Sequence, residues 1–149
     1  MRRLKTWITR TLGADEVDEG TREQARNLAV AALLVEVLRA DYDVSSDERR
    51  QVLDSIGRVL RLDAAQCAAL LAEAEHTVDR SHDLHQFTSE VNRSLDHVEK
   101  LRLVEQLWRV AQSDSIVHKY EEHIIRRVCD LLHVSHREFI AAKLRTVEG

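Results

Sequence analysis

The 149-residue chain contains no proline and only four glycines, and aromatic residues make up 4% of it. Proline and glycine supply most of the tight turns that join short strands, so their scarcity argues against a β-sandwich or a β-barrel. A chain of this length can bury roughly 70% of its unfolded surface in one domain, which is enough for a core without disulfides. The composition therefore predicts a single all-α domain.

Cysteine, excess charge and long apolar runs are also scarce, and each shortage excludes a class of protein. Cys67 and Cys129 stand alone without a CxxC pair, which favours two buried thiols in a reducing compartment. The net charge of −4, from 22 basic and 26 acidic residues, argues against a broad nucleic-acid-binding surface. No apolar run approaches the roughly 18 residues of a membrane span, and the first residues are charged where a signal peptide is apolar. We expect a cytoplasmic protein that does not bind nucleic acid.

Apolar residues recur at helical spacing through most of the chain and predict one compact bundle of seven to eight helices. Several predicted helices begin with a capping box, in which two side chains three residues apart satisfy free backbone amides. The pairs are Thr21 and Gln24, Ser45 and Glu48, Asp63 and Gln66, Asp96 and Glu99, and Ser135 and Glu138. A weaker helix is predicted from Asp79 to Leu95. Residues 1–20 are predicted to form an amphipathic helix and an acidic connection, and residues 21–149 the helical domain.

Two acidic segments repeat along the chain: ADYDVSSDE at residues 40–48 and SDSIVHKYE at residues 113–121. Asp41 matches Asp114, and Glu48 matches Glu121, so that Glu follows Asp by seven residues in both. Each segment follows a long apolar helix and precedes another. This pattern indicates an internal duplication of about 40 residues, and it predicts pseudo-twofold packing of the two halves.

The acidic residues of these segments are candidate metal ligands. Asp41 and Asp114 fall at the C-terminal ends of helices, where the macrodipole disfavours a carboxylate by about 0.3–1 kcal/mol. A calcium-like divalent cation held by mixed carboxylate and carbonyl oxygens would offset that cost. Asp43 and Glu122 are further candidates. The alternative is a solvated loop in which Glu48 and Glu121 only cap helices.

The spacing does not match an EF-hand, which is also a helix, an acidic loop and a helix. With Asp41 as the first loop position, Ser46 occupies the sixth, where glycine is required, and Val52 occupies the twelfth, where a bidentate Glu belongs. The second segment departs further, with Ile116 at its third position. A metal site here would therefore have its own geometry.

Two segments resemble the signature of the tellurite-resistance protein B-like (TerB-like) family: LLVEVLRADYDVSSDERRQVLDSI at 33–56 and LWRVAQSDSIVHKYEEHIIRRVCDLL at 107–132. The resemblance extends over roughly residues 24–145. It implies a compact all-α bundle with an internal repeat, and a non-catalytic module linked to tellurite and other chemical stress in bacteria. It also implies divalent-metal ligands at four positions: Asp41, Glu48, Asp114 and Glu121. The family commonly has glycine after each Asp, whereas this chain has Tyr42 and Ser115.

Zinc binding and catalysis have less support in the sequence. His82 and His85 share a helix face, and His133 and His136 would do so on a continuous helix one turn after Cys129. No CxxC or HExxH anchors a zinc site, however, so dispersed surface histidines are favoured. No GxSxG motif or Gly-rich phosphate loop is present, and both cysteines lie on apolar helix faces. We expect the protein not to be an enzyme.

The N-terminal segment is a candidate interaction surface. Leu4, Trp7 and Ile8 lie on one side of a predicted helix from Arg2 to Leu12, with basic residues around them. Such a helix can bind an anionic membrane surface or a groove of a protein partner, or it can pack on its own bundle. A metal-free adaptor for proteins or membranes is thus the alternative function. Trp108 on a later helix is in phase with the apolar stripe and is predicted to lie in the core.

Overall fold

A computed structural model of the chain describes residues 19–40, 46–80, 83–113 and 119–148, which form seven α-helices and contain no strand. The helices are α1 (Glu19–Arg39), α2 (Ser46–Leu60), α3 (Ala64–Arg80), α4 (Leu84–Ser94), α5 (His97–Gln112), α6 (Lys119–Leu131) and α7 (His136–Glu148). The prediction of one all-α bundle is confirmed. The predicted N-terminal helix, with Leu4, Trp7 and Ile8, lies outside the described residues.

Helix α1 forms the centre of the bundle. Between Ala29 and Leu38 every residue except Glu36 is buried, so this part of the helix has no solvent-facing side. An α-helix that is apolar all round needs neighbours on every side. Helices α2, α3, α4, α5 and α6 all contact α1.

The two halves of the chain pack with the predicted pseudo-twofold symmetry. Within each half the three helices α1–α3 or α5–α7 contact one another, and the contact of α2 with α5 has its counterpart between α6 and α1. The backbone repeats as well. Arg61 follows α2 and His133 follows α6, and both hold a left-handed conformation, with φ of 56° and 63°. Each then leads into a capping box that starts the third helix of its half.

Helix α4 has no counterpart in the other half, and its predicted start was wrong. Asp79 lies inside α3, which continues to Arg80. The Asp79 carboxylate forms an ion pair with Arg39 of α1. The N-cap of α4 is Asp83, whose side chain accepts a hydrogen bond from the His85 amide at 3.0 Å. The single predicted helix over residues 79–95 is therefore the end of one helix and the whole of another.

Three predicted capping boxes are confirmed by reciprocal hydrogen bonds. Asp63 pairs with Gln66, Asp96 with Glu99, and Ser135 with Glu138, at distances of 2.8–3.1 Å. The box predicted at Thr21 is wrong, because α1 is already helical at Glu19 and Thr21 lies inside its first turn.

The core contains the residues that the apolar periodicity indicates. Trp108 is fully buried, its indole Nε1–H donates to the Phe139 carbonyl at 3.2 Å, and its ring centroid lies 5.0 Å from that of Phe139. Leu144 of α7 is 53% exposed, on a helix whose main contacts are with α5 and α6. None of the described helices combines the length and the apolar character that crossing a bilayer requires.

Candidate functional site

The helix ends that flank the two acidic segments lie at one end of the bundle. Ser55 of α2 donates a hydrogen bond to Gln106 of α5 at 2.9 Å, and residues later in α2 line a cavity with residues earlier in α5. The two helices are therefore antiparallel, and the start of α2 lies beside the end of α5. Only five residues separate Ser113, which follows α5, from the start of α6. The ends of α1 and α5 and the starts of α2 and α6 therefore fall on the same side of the molecule.

Glu48 and Glu121 are buried at equivalent positions in this end of the bundle. Each is the third residue of its helix, and their exposed fractions are 1% and 0%. An ionised carboxylate loses several kcal/mol of hydration on full burial, so a native structure compensates it with hydrogen bonds or opposite charge. These two residues stand near the N-termini of α2 and α6, where the helix macrodipole favours a negative charge.

Burial distinguishes these glutamates from the other capping residues. Gln66 and Glu99 occupy the same position in their helices and remain exposed, and Glu138 is half-buried. Helix capping alone therefore does not require the glutamate to be buried. The two repeated acidic segments share a feature that the ordinary capping boxes of this chain lack.

The remaining predicted ligands are not gathered by the described structure. Asp41, Asp43 and Asp114 lie outside the described residues. Glu122 is partly exposed, and its carboxylate lies 3.5 Å from Lys143 Nζ in an ion pair with α7. Among the residues that the structure describes, no group of three or more histidine, cysteine, aspartate or glutamate side chains is placed to hold a metal ion.

The two halves differ in charge one turn before the acidic segments. Glu36 of α1 and Arg109 of α5 occupy equivalent positions, 73 residues apart, and both are partly buried. The Nε of Arg109 is buried and donates to no residue in the described ranges. The first half thus carries an additional acid where the second carries a base.

The histidines do not form a zinc site with Cys129 in the described part of the chain. Helix α6 ends at Leu131 and α7 begins at His136, so His133 and His136 do not share the continuous helix that a common face requires. Both are exposed, whereas Cys129 is buried. His85 is the second residue of α4, and His82 lies outside the described residues.

Both cysteines are buried free thiols, as predicted. Burial raises the pKa of the Cys129 thiol to about 12, and the negative charges of Asp130 and Glu138 add to the rise. The pKa of Cys67 is also raised, by burial first and then by the negative charges of Asp63 and Asp54. A thiol rather than a thiolate at neutral pH is a poor nucleophile and a poor metal ligand, so neither residue suits nucleophilic catalysis.

The comparison with protein families agrees with this architecture. The family model described as tellurite resistance protein TerB matches residues 27–144, which is most of the chain and includes both acidic segments. The chain belongs to the TerB family. No curated protein and no solved structure matches it.

Sequence reasoning identified Glu48 and Glu121 in this TerB chain but not their burial. The pattern that places Glu three residues after the N-cap is the same in the exposed boxes, so spacing alone does not separate the two cases. The difference between Glu36 and Arg109 was also missed. Aligning the two halves residue by residue would have revealed it.

Proposed function

We propose that this chain is a cytoplasmic, non-catalytic TerB module that binds a divalent cation at each of its two acidic segments. Asp41 and Glu48 would be the ligands of the first segment, and Asp114 and Glu121 those of the second. Asp43 and Glu122 would add to these sets. The observation that carries the proposal is the full burial of Glu48 and Glu121 at equivalent positions, in contrast to the exposed or half-buried capping residues Gln66, Glu99 and Glu138.

The donor set fits a hard cation. Carboxylates, with backbone carbonyls and water, are the ligands that calcium and magnesium prefer, whereas zinc prefers histidine and cysteine ligands, of which the two segments contain only His118. A bound cation would supply positive charge between the carboxylates. Its consequence would be a fixed angle between α1 and α2 and, in the second half, between α5 and α6. The surface so formed would be the one that protein partners recognise.

Membership of the family supports a role in the bacterial response to tellurite and other chemical stress. No described residue carries chemistry particular to tellurium oxyanions. We therefore place the chain in this response through protein partners, with cation binding setting the shape that they recognise.

The test is calorimetric titration of calcium, magnesium, manganese and zinc into the metal-stripped full-length protein. We expect saturable binding of calcium that disappears in the Asp41→Ala and Asp114→Ala double variant. The matched control is Asp54→Ala with Asp130→Ala, which removes two exposed acids from α2 and α6 away from the acidic segments. This control should bind calcium as the wild type does.

Two results would contradict the proposal. Equal losses in both double variants would show that calcium responds only to net charge. Absence of saturable binding of any of the four cations would leave the acids as capping and surface residues. The metal-free adaptor would then be the better account, and residues 2–12 would be tested by vesicle flotation.

A further inference from the structure

A cavity of about 590 Å³ lies at the end of α2 and the beginning of α5, away from the helix ends that flank the acidic segments. Helices α1, α2 and α5 line it, together with Arg61 after α2 and Leu95 after α4, and the charged side chains of the lining are predominantly basic. The charged lining residues are Arg26, Arg58, Arg61, Arg102, Glu99 and Glu105. The apolar lining residues are Val59, Leu60 and Leu95, and Gln106 completes the wall.

The two carboxylates of the lining are engaged elsewhere. Glu99 accepts a hydrogen bond from the Asp96 amide at 2.9 Å as part of the capping box of α5. Glu105 forms an ion pair with Arg145 of α7. Neither carboxylate is therefore the main counter-charge of the cavity arginines.

Two of the four arginines also have partners. Arg58 Nε lies 3.0 Å from the Asp54 carboxylate one turn earlier in α2. Arg26 donates to the Asn27 side chain at 3.1 Å, and its guanidinium lies 3.7 Å from Glu23.

Arg61 and Arg102 are different, because neither side chain forms a hydrogen bond or an ion pair with any residue in the ranges that the structure describes. They come from different helical segments, at the end of α2 and in the second turn of α5, yet they line the same cavity. Both side chains are exposed. A guanidinium offers a planar fork of N–H donors that matches the oxygens of a phosphate group.

The wall of the cavity also carries the hydrogen-bonded amide of Gln106. Gln106 is only 8% exposed, and its Oε1 accepts the hydrogen bond from Ser55, whose hydroxyl in turn accepts one from Gln51 at 3.1 Å. Because the oxygen is occupied by Ser55, the amide nitrogen of Gln106 is the atom left to donate into the cavity. It donates to no other described residue.

We propose that this cavity binds a phosphate group carried by a small molecule. Arg61 and Arg102 would hold the phosphate oxygens, Gln106 would donate a further hydrogen bond, and Val59, Leu60 and Leu95 would contact the organic part. The volume lies within the roughly 300–1,000 Å³ of small-molecule sites and is far larger than a phosphate ion alone needs. The site is independent of the proposed cation sites.

A second cavity differs from the first in the charge of its lining. It measures about 920 Å³ and adjoins the first through Arg26, but its charged lining residues balance. They are Arg22, Arg26 and Arg93 against Glu19, Glu23 and Glu90. Size alone therefore does not mark the site. What distinguishes the first cavity is the pair of guanidiniums, Arg61 and Arg102, that have no partner among the described residues.

The test is calorimetric titration of adenosine 5′-monophosphate, inorganic phosphate and adenosine into the full-length protein at moderate salt. We expect the nucleotide to bind saturably, phosphate to bind more weakly, and adenosine not to bind. The double variant Arg61→Gln and Arg102→Gln should bind the nucleotide at least tenfold more weakly. Replacing both by lysine should restore only part of the affinity, because lysine keeps the charge and loses the fork.

The matched control is Arg127→Gln with Arg137→Gln, which removes the same charge from exposed arginines outside both cavities. It should change the affinity less than threefold. Equal losses in the two glutamine variants would overturn the proposal, as would adenosine binding as tightly as its monophosphate. Absence of binding of both phosphate compounds to the wild type would overturn it without any variant. Equal affinity for phosphate and the nucleotide would overturn the role of the organic part and make the free ion the ligand.

Discussion

Arg61 and His133 hold left-handed backbone conformations, one residue after the end of α2 and two residues after the end of α6. This conformation brings Cβ close to a backbone oxygen and costs an L-residue roughly 1–2 kcal/mol, a cost that glycine avoids. Helices often end on glycine for this reason. The sequence uses a long side chain at both positions, and at Arg61 that side chain lines the basic cavity.

We expect His133→Gly to raise the free energy of unfolding by about 0.5–1 kcal/mol, because glycine removes the steric cost at φ 63° and the imidazole that is lost is exposed. Urea unfolding followed by circular dichroism measures the change. The control Arg127→Gly lies in the interior of α6 and should lower stability by about 0.5–1 kcal/mol. A fall in stability for both variants would show that His133 makes a contribution beyond its backbone.

Helix α5 and helix α7 are joined at their N-termini by one side-chain contact. His97 is the first residue of α5, and its Nε2 lies 2.6 Å from the carboxylate of Glu138 in the first turn of α7. The hydrogen bond from His97, together with that from the Ser135 amide, lowers the pKa of Glu138 to about 2. The Glu138 carboxylate thus caps its own helix, α7, and also holds the N-terminus of α5 through His97.

This contact predicts a specific loss of stability in acid. A carboxyl group with a lowered pKa in the folded protein stabilises the fold above its ordinary pKa, near 4.5, and loses that contribution as the pH falls toward 2. The difference in melting temperature between wild type and Glu138→Gln should therefore be largest above pH 5 and shrink between pH 4.5 and 2. Calorimetric melts across this range measure it.

The companion variant His97→Ala separates the two causes of the shift. Because His97 is the largest contributor, the pKa of Glu138 should rise toward its ordinary value in this variant, as followed by carboxyl NMR titration. An unchanged pKa would mean that the Ser135 amide is sufficient.

At the scale of the whole molecule, the duplicated halves share a backbone but not a charge distribution. Glu36 in the first half corresponds to Arg109 in the second, five residues before Asp41 and Asp114 respectively. A cation near the first segment has an additional carboxylate in its surroundings, whereas one near the second has a guanidinium. The two proposed cation sites are therefore unequal.

We expect Asp41→Ala to weaken calcium binding more than Asp114→Ala, because the first site is the more acidic. Titration of each single variant would show the loss of the tighter site in the first case and of the weaker site in the second. Arg109→Gln should reduce the difference in calcium affinity between the two sites, because it removes the repulsion between the guanidinium and the cation at the second site. Equal losses in the single variants would show that Glu36 and Arg109 do not affect the sites.

The sequence was sufficient for the fold, for three capping boxes and for the core around Trp108, because apolar periodicity and capping are local patterns. It was not sufficient for the boundary between α3 and α4, since Asp79 has the chemistry of an N-cap but instead pairs with Arg39, forty residues away. The basic cavity was missed because it too depends on contacts between residues that are distant in the sequence. Arg61 and Arg102 become neighbours only when α2 and α5 pack together.

The central position of α1 has a consequence for synthesis of the protein. Its apolar segment ends at Leu38, but the last helix that covers it, α6, ends at Leu131. At a translation rate of about 5–20 residues per second, the ribosome needs roughly 5–20 s to make the intervening chain. During that interval the apolar segment of α1 is not yet covered by all the helices that bury it in the folded protein. We therefore expect the nascent chain to bind chaperones that hold exposed apolar segments at the ribosome exit.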